Sequence, residues 1–258
     1  MDIKQILDEW EYDPYSFSVR IVNGDDGKQK LQIRLDLGVL QLEMEGRPDG
    51  TSPHNKESLL DYFKEKLEDS PNDPVSGSEF VLTDEDCDQL RMEAIQYYHR
   101  YVSLLELEKY KGVILDTEHN LEILDMMKEY AEDKSDFMSY EQYRPYILMI
   151  NTLAKGRMSL NKNHSEKASK IVEKGIKLIN DARAELGLKD SVYGYKEVRF
   201  LEEWNKEFDS NSSPSELDLL QRKLMKAVKI EDYESAALIR DDISNFDKRG
   251  KKKINPNK

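Results

Sequence analysis

Apolar residues recur along this chain with two different periods. From Phe17 to Val22 they alternate with polar residues, the two-residue period of a half-buried strand. The alternation resumes further on, where Leu31, Ile33, Leu35 and Leu37 interleave with Gln32, Arg34 and Asp36. Past Gly38 it continues in a shifted register, Leu40, Leu42 and Met44 against Gln41, Glu43 and Glu45. Asn23-Gly24-Asp25-Asp26-Gly27 between the two runs is a strong turn signal. Residues 16–45 are therefore predicted to form a β-hairpin with a long second arm, bent at Gly38. A lone hairpin is marginal in water, so its apolar face has to pack on a helix or on a second copy of the chain.

Elsewhere the period is helical. Ile3, Ile6, Leu7 and Trp10 make a short stripe, and Leu59, Leu60, Phe63 and Leu67 make another over residues 58–67. Residues 68–80 are polar and carry Pro and Gly, which predicts a linker and a domain boundary. Thr83, followed by Asp84, Glu85 and Asp86, fits a capped helix start. Helical spacing then runs to about Leu186. Lys109–Gly112, Ser139–Gln142 and Asn163–Glu166 divide it into helices at about 84–107, 111–132, 141–159 and 165–186. Short connections favour antiparallel neighbours. Gly187–Gly194 reads as a second linker. Residues 196–208 read as a connecting helix with Phe200, Leu201, Trp204 and Phe208 aligned. The predicted class is mainly α, with an N-terminal β-hairpin element and short helices. The predicted pieces are 1–68, 83–187, 196–208, a helical hairpin at 213–247 and a basic tail at 248–258.

The C-terminal hairpin has the most specific pattern. Ser213 caps, Pro214 takes the first helical position, and Glu216 lies three residues after the cap. Leu217, Leu220, Leu224 and Ala227 form one stripe, and Ala236, Ile239, Ile243 and Phe246 the facing one. Ala236 and Ala237 let the two helices approach closely, and Arg222, Lys223, Lys226 and Arg240 stay on the wet rim.

The basic-apolar first helix, the turn Glu231-Asp232-Tyr233-Glu234, the Ala236-Ala237 pair and Ile239-Arg240-Asp241-Asp242-Ile243 resemble the UvrB/UvrC motif, the UVR domain. Phe246 stands where that family more often has Leu. The resemblance covers only this hairpin. It implies a protein-binding module without chemistry of its own, one that pairs with a second UVR hairpin in excision-repair subunits and also occurs in regulators of Clp-type proteases. The partners it implies are another UVR hairpin, a Clp-type protease or a repair subunit, with a homodimer as a further option. Tyr233, Leu238 and Arg240, off the core stripe, are the candidate partner contacts. The rest of the chain departs from the repair subunits. It has no Gly-x-x-x-x-Gly-Lys-Ser/Thr loop, and Tyr193-Gly194-Tyr195 is not the Gly-Ile-Tyr nuclease motif.

The middle region is similar, more loosely, to tetratricopeptide hairpins. The likeness rests on Lys109–Ile114 with Leu121–Leu124, and on Ser165–Lys170 with Gly175–Ile179, a small residue (Gly112, Ala168) lying early in each second helix. Gly112 to Ala168 is a step of 56 residues, against the roughly 34 of that family. The family's Trp-Leu-Gly pattern is missing.

Charge narrows the function classes. The 258 residues carry a formal charge of −13, and 35% of them are charged. That argues against broad charge-driven nucleic-acid binding. The charge is uneven, with net −9 in residues 1–82 and six cations without an acid from Lys248 onward. The basic tail is where nucleic acid or an acidic partner would be met, and it gives an alternative reading as an accessory protein of excision repair. No apolar run reaches the ~20 residues of a membrane span, and the acidic N-terminal stretch does not resemble a signal peptide, so a cytoplasmic protein is expected.

No catalytic, cofactor or metal site is predicted. Cys87 is the only cysteine and lacks a basic neighbour to activate it. His54 and His164 read as solvated, while His99 and His119 lie on helices that could be adjacent and so form the one metal pair to consider. Gly46-Arg47-Pro48-Asp49-Gly50 reads as a turn, not a phosphate loop. Tyr97, Tyr98, Tyr101, Tyr110, Tyr130, Tyr140, Tyr143 and Tyr146 read as a helical core with hydroxyls at its surface, or as a Tyr-lined groove for peptides.

Overall fold

The computed structural model describes residues 3–69, 80–187 and 194–208, with Leu220, Leu224, Ile239 and Arg240, and leaves aside the side chains of residues 134–136 and 139. The chain divides into two compact units, Met1–Glu202 and Glu203–Lys258. The fold is mainly helical with a small antiparallel sheet near the N-terminus.

The short helix α1 (Lys4–Asp8) covers only part of the Ile3–Trp10 stripe. The predicted two-armed hairpin is a three-stranded meander: β1 (Val19–Asn23), β2 (Gln29–Leu35) and β3 (Gly38–Glu43), in the order β1-β2-β3. The chain reverses at Asp36 and Leu37, between the paired residues Leu35 and Gly38, instead of bending at Gly38 within one arm. Arg34 holds that turn. Its Nη1 donates to the carbonyls of Leu35, Asp36 and Gly38, and its Nε donates to the carbonyl of Trp10. The register places Val19, Ile33 and Leu40 in a row, and Ile21, Leu31 and Leu42 in the next. These side chains, with Met44, bury one face of the sheet against Leu107 at the end of a helix, as a marginal hairpin requires. The other face carries a polar ladder, in which Arg20 donates to Gln32 and Gln32 donates to Gln41, each at 2.9 Å.

α2 (Leu59–Asp69), α3 (Asp84–Glu106), α4 (Tyr110–Tyr130), α5 (Lys134–Glu141), α6 (Arg144–Leu160) and α7 (Ser165–Glu185) follow. The start of α3 is a complete capping box. The Thr83 hydroxyl accepts from the Asp86 N–H, and the Asp86 carboxylate accepts from the Thr83 N–H. The helix predicted at 141–159 starts later, at Arg144, because Pro145 is tolerated only in a first turn. A separate short helix, α5, precedes it.

Helices α3, α4, α6 and α7 pack each on the next. Two close approaches depend on glycine. A Cβ on Gly112 would come within 2.6 Å of Leu104 Cδ1, and one on Gly175 within 2.5 Å of Thr152 Cγ2. Tyr101, Leu104, Tyr110, Val113, Ile150 and Ala154 fill the centre of the array. A second core joins Leu59, Leu60 and Phe63 of α2 to Leu82, Cys87 and Leu90, and to Ile123, Met126 and Met127 of α4. Each such side chain contributes about 1.5–3 kcal/mol by leaving water. The predicted boundary at 68–80 thus separates segments that share one core. α8 (Tyr195–Asn205) begins in the same unit, where it buries Val198 and Leu201. In the second unit, Trp204 is buried with Phe208 edge-on at 4.8 Å.

A buried charge junction beside an open groove

The spacing that makes α3 amphipathic runs through Leu90, Glu93, Tyr97, Arg100 and Leu104, so two charged residues sit on its buried stripe. Glu93 is fully buried. Its Oε2 accepts the Leu59 N–H at 2.7 Å and its Oε1 accepts the Leu60 N–H at 3.1 Å. An α-helix leaves its first N–H groups without partners, and a carboxylate there is also favoured by the helix dipole. Glu93 thus caps α2 from a different helix. Arg47 Nε lies 3.0 Å from Glu93 Oε2, and His119 Nε2 on α4 lies 3.1 Å from Glu93 Oε1.

Two turns further along, Arg100 forms a two-pronged pair with the buried Asp116 of α4, at 2.8 and 2.7 Å. Its Nη1 also donates to the carbonyls of Glu43 and Gly46, at 3.1 and 2.7 Å. A planar guanidinium serves this role because it directs several N–H groups in fixed directions. Tyr97 lies between the two clusters. Its ring stacks on His119 at 3.7 Å, and the Arg100 guanidinium sits 4.9 Å from its centre. Burial pushes the Tyr97 hydroxyl well up, and neighbouring Glu93 adds to the shift. Burial also raises Asp116, against the opposing effect of Arg100.

The loop Gly46–Gly50, predicted as a turn, enters this junction. Arg47 donates to the Thr51 hydroxyl at 2.6 Å and pairs with Asp49 at 3.2 Å. Asp49 also accepts from the Thr51 N–H at 2.9 Å and from the Gln96 amide of α3 at 3.0 Å. Burial pushes Asp49 up. The Thr51 N–H, the Gln96 amide, the Thr51 hydroxyl and Arg47 overcome that, and its carboxyl titrates below the usual value. The next residues carry local strain: His54 and Asn55 have φ of 51° and 61°, in the left-handed region, which costs about 1–3 kcal/mol per residue for side chains other than Gly. The His54 ring is held there by stacking on Tyr62 at 3.9 Å. Pro53, His54 and Arg47 form one wall of an open groove. Leu59, Glu85, Asp88, Gln89, Arg91 and Met92 complete it.

The predicted site residues are distributed differently. His99 and His119 do not come together as a metal pair. His119 engages Glu93 and Tyr97, while His99, whose pKa burial lowers, lies beside Tyr98. Among the described residues no group of His, Cys, Asp and Glu could hold a metal ion. Cys87 is buried in the α2–α4 core. Of the Tyr cluster, Tyr97, Tyr101 and Tyr110 are buried, whereas Tyr98 and Tyr143 are 40% and 56% exposed. Of the predicted hairpin residues, Leu220, Leu224 and Ile239 are helical and half-buried, and Arg240 is helical and exposed. Leu217, Ala227, Tyr233, Ala236, Ala237, Leu238, Ile243, Phe246 and the tail 248–258 lie outside the described residues.

Glu93, Arg100, Asp116 and Arg47 escaped the sequence reading. A signal was available for the first two: a charge at an apolar position of a long helical stripe must find a partner in the core. Compared with known proteins, the chain matches no family model, no curated protein and no solved structure.

Proposed function

We propose that this chain is a non-enzymatic, cytoplasmic protein–protein adaptor whose residues 213–247 form a UVR-type helical hairpin. The observation that carries the reading is the placement of the described hairpin residues. Leu220 and Leu224, four apart on one stripe, and Ile239 on the other are helical and half-buried, while Arg240 is exposed. This difference in exposure supports a core stripe and a wet rim. Among the described residues no helix is long and apolar enough to cross a membrane. The polar junction in the first unit supports the same reading. Its charged groups are occupied with one another and with backbone groups, and hold loops in place.

The partners this proposal names are another UVR hairpin, a component of a Clp-type protease or an excision-repair subunit. Affinity capture with mass spectrometry, comparing the full chain with Leu224→Glu, tests it. The variant is expected to lose those partners. Recovery of the same set by both proteins would show that the hairpin does not recruit them. The repair-accessory reading is favoured by the six cations from Lys248 onward. It requires a salt-dependent DNA shift that is lost when residues 248–258 are removed.

A further inference from the structure

The groove bounded by Arg47, Pro53, His54, Leu59 and α3 is not absorbed by the hairpin reading. Its floor is apolar. Leu59 is buried beneath it, and Met92 is 58% exposed. Ile95, one turn along α3, is 42% exposed and extends the apolar surface. An exposed Met-bearing helix face beside a rigid loop resembles the centre of a recognition surface. The loop wall is held in place, with His54 stacked on Tyr62 and Arg47 fixed by Asp49, Thr51 and Glu93.

The charges around the groove do not cancel. Arg47 faces two carboxylates, Glu93 and Asp49, and Arg91 is paired with Asp88 at 2.7 Å. Glu85, in the first turn of α3, lines the groove and has no ion-pair partner among the described residues. The uncompensated charge at the groove is therefore negative, beside exposed apolar carbon. A Lys or Arg side chain matches both features, because its stem lies on apolar surface while its head seeks an anion.

We propose that this groove docks a partner-protein segment carrying a Lys or Arg next to an apolar residue. The cationic stem lies along Pro53 and Met92 with its head at Glu85, and the apolar neighbour sits on Met92 and Ile95. This second interaction surface lies in Met1–Glu202 and does not depend on the hairpin.

The test is selection of phage-displayed random short peptides on the immobilised full chain, followed by titration of the enriched peptides in solution. Enriched sequences should pair Lys or Arg with Leu, Met or Phe. Met92→Lys and Glu85→Gln should each weaken their binding by about tenfold or more. Leu115→Lys, which changes a still more exposed apolar residue on α4, should leave binding unchanged, as should Leu224→Glu in the hairpin. Circular dichroism and a thermal melt confirm that each variant is folded. Enrichment of acidic peptides, no enrichment, or peptides that bind Met92→Lys as well as the parent would overturn the proposal. So would a concentration-dependent dimer dissolved by Met92→Lys, which would assign the groove to a second copy. Because Leu224→Glu is included, loss of the hairpin's partners and loss of peptide binding are separate outcomes.

Discussion

Glu93 ties α2 to the helical array through two backbone N–H groups, and replacing it gives a quantitative test. In Glu93→Leu the volume is roughly kept, but the N–H groups of Leu59 and Leu60 lose their acceptor and Arg47 loses its nearer carboxylate. A buried N–H left without a partner costs about 1–3 kcal/mol. Removing one member of a buried ion pair costs about 3–5 kcal/mol. These effects share one site and do not add in full, and Arg47 keeps Asp49, so the expected loss is about 3–5 kcal/mol. For a domain of this size that lowers Tm by about 6–20 °C. Glu93→Gln retains one carbonyl oxygen for the helix cap and should lose only about 1–3 kcal/mol. Thermal melts give the totals. Hydrogen exchange gives the location: in Glu93→Leu the Leu59 and Leu60 amides should exchange faster than the rest of α2. A Glu93→Leu protein within about 0.5 kcal/mol of the parent, with both amides still protected, would refute the capping role.

Two further outcomes follow from the packing and charge. Gly175→Ala should cost about 1–3 kcal/mol because its new Cβ meets the buried Thr152 side chain. Thr152→Ala in the same protein should recover most of that loss, and simple addition of the two effects in denaturant melts would contradict the contact. Asp49 titrates below its ordinary value of 3.8, so it adds stability above that value and loses it as pH falls through its lower folded-state pKa. Asp49→Asn should therefore flatten the decline of Tm as pH falls below the ordinary value of 3.8, and unchanged slopes would show that Asp49 is not coupled to folding.

The helical array was largely legible because its stripes are long and the start of α3 is capped as the sequence predicts, at Thr83 and Asp86. The starts of α6 and α7, at Tyr143 and His164, carry no side-chain cap, so the signals at 139–142 and 163–166 mark breaks between helices and not caps. The sheet was misread at one point. Asp36 and Leu37 turn the chain without glycine or asparagine, and the stabilising contacts come from Arg34, whose side chain reaches back over the turn. Local spacing does not encode such a contact. The charge junction was obscured for a different reason. With 35% of residues charged, residue type alone does not reveal which carboxylates are buried. Position on the α3 stripe does for Glu93 and Arg100, but their partners Arg47 and Asp116 come from other elements. The groove was missed because it requires a loop read as a plain turn to lie against a helix some 40 residues later in the chain.

Arg100 and Glu93 also bear on the order in which the chain can acquire structure during synthesis. The carbonyls of Glu43 and Gly46 wait for an arginine 57 and 54 residues downstream, and that arginine is balanced only by an aspartate 16 residues later still. The cap on α2 arrives 34 residues after the N–H groups it serves. A ribosome adding roughly 5–20 residues per second therefore extrudes the sheet and α2 several seconds before their closing contacts exist. During that interval the apolar face of the sheet lacks its helical cover, and the net charge of −9 in the first 82 residues opposes association by like-charge repulsion.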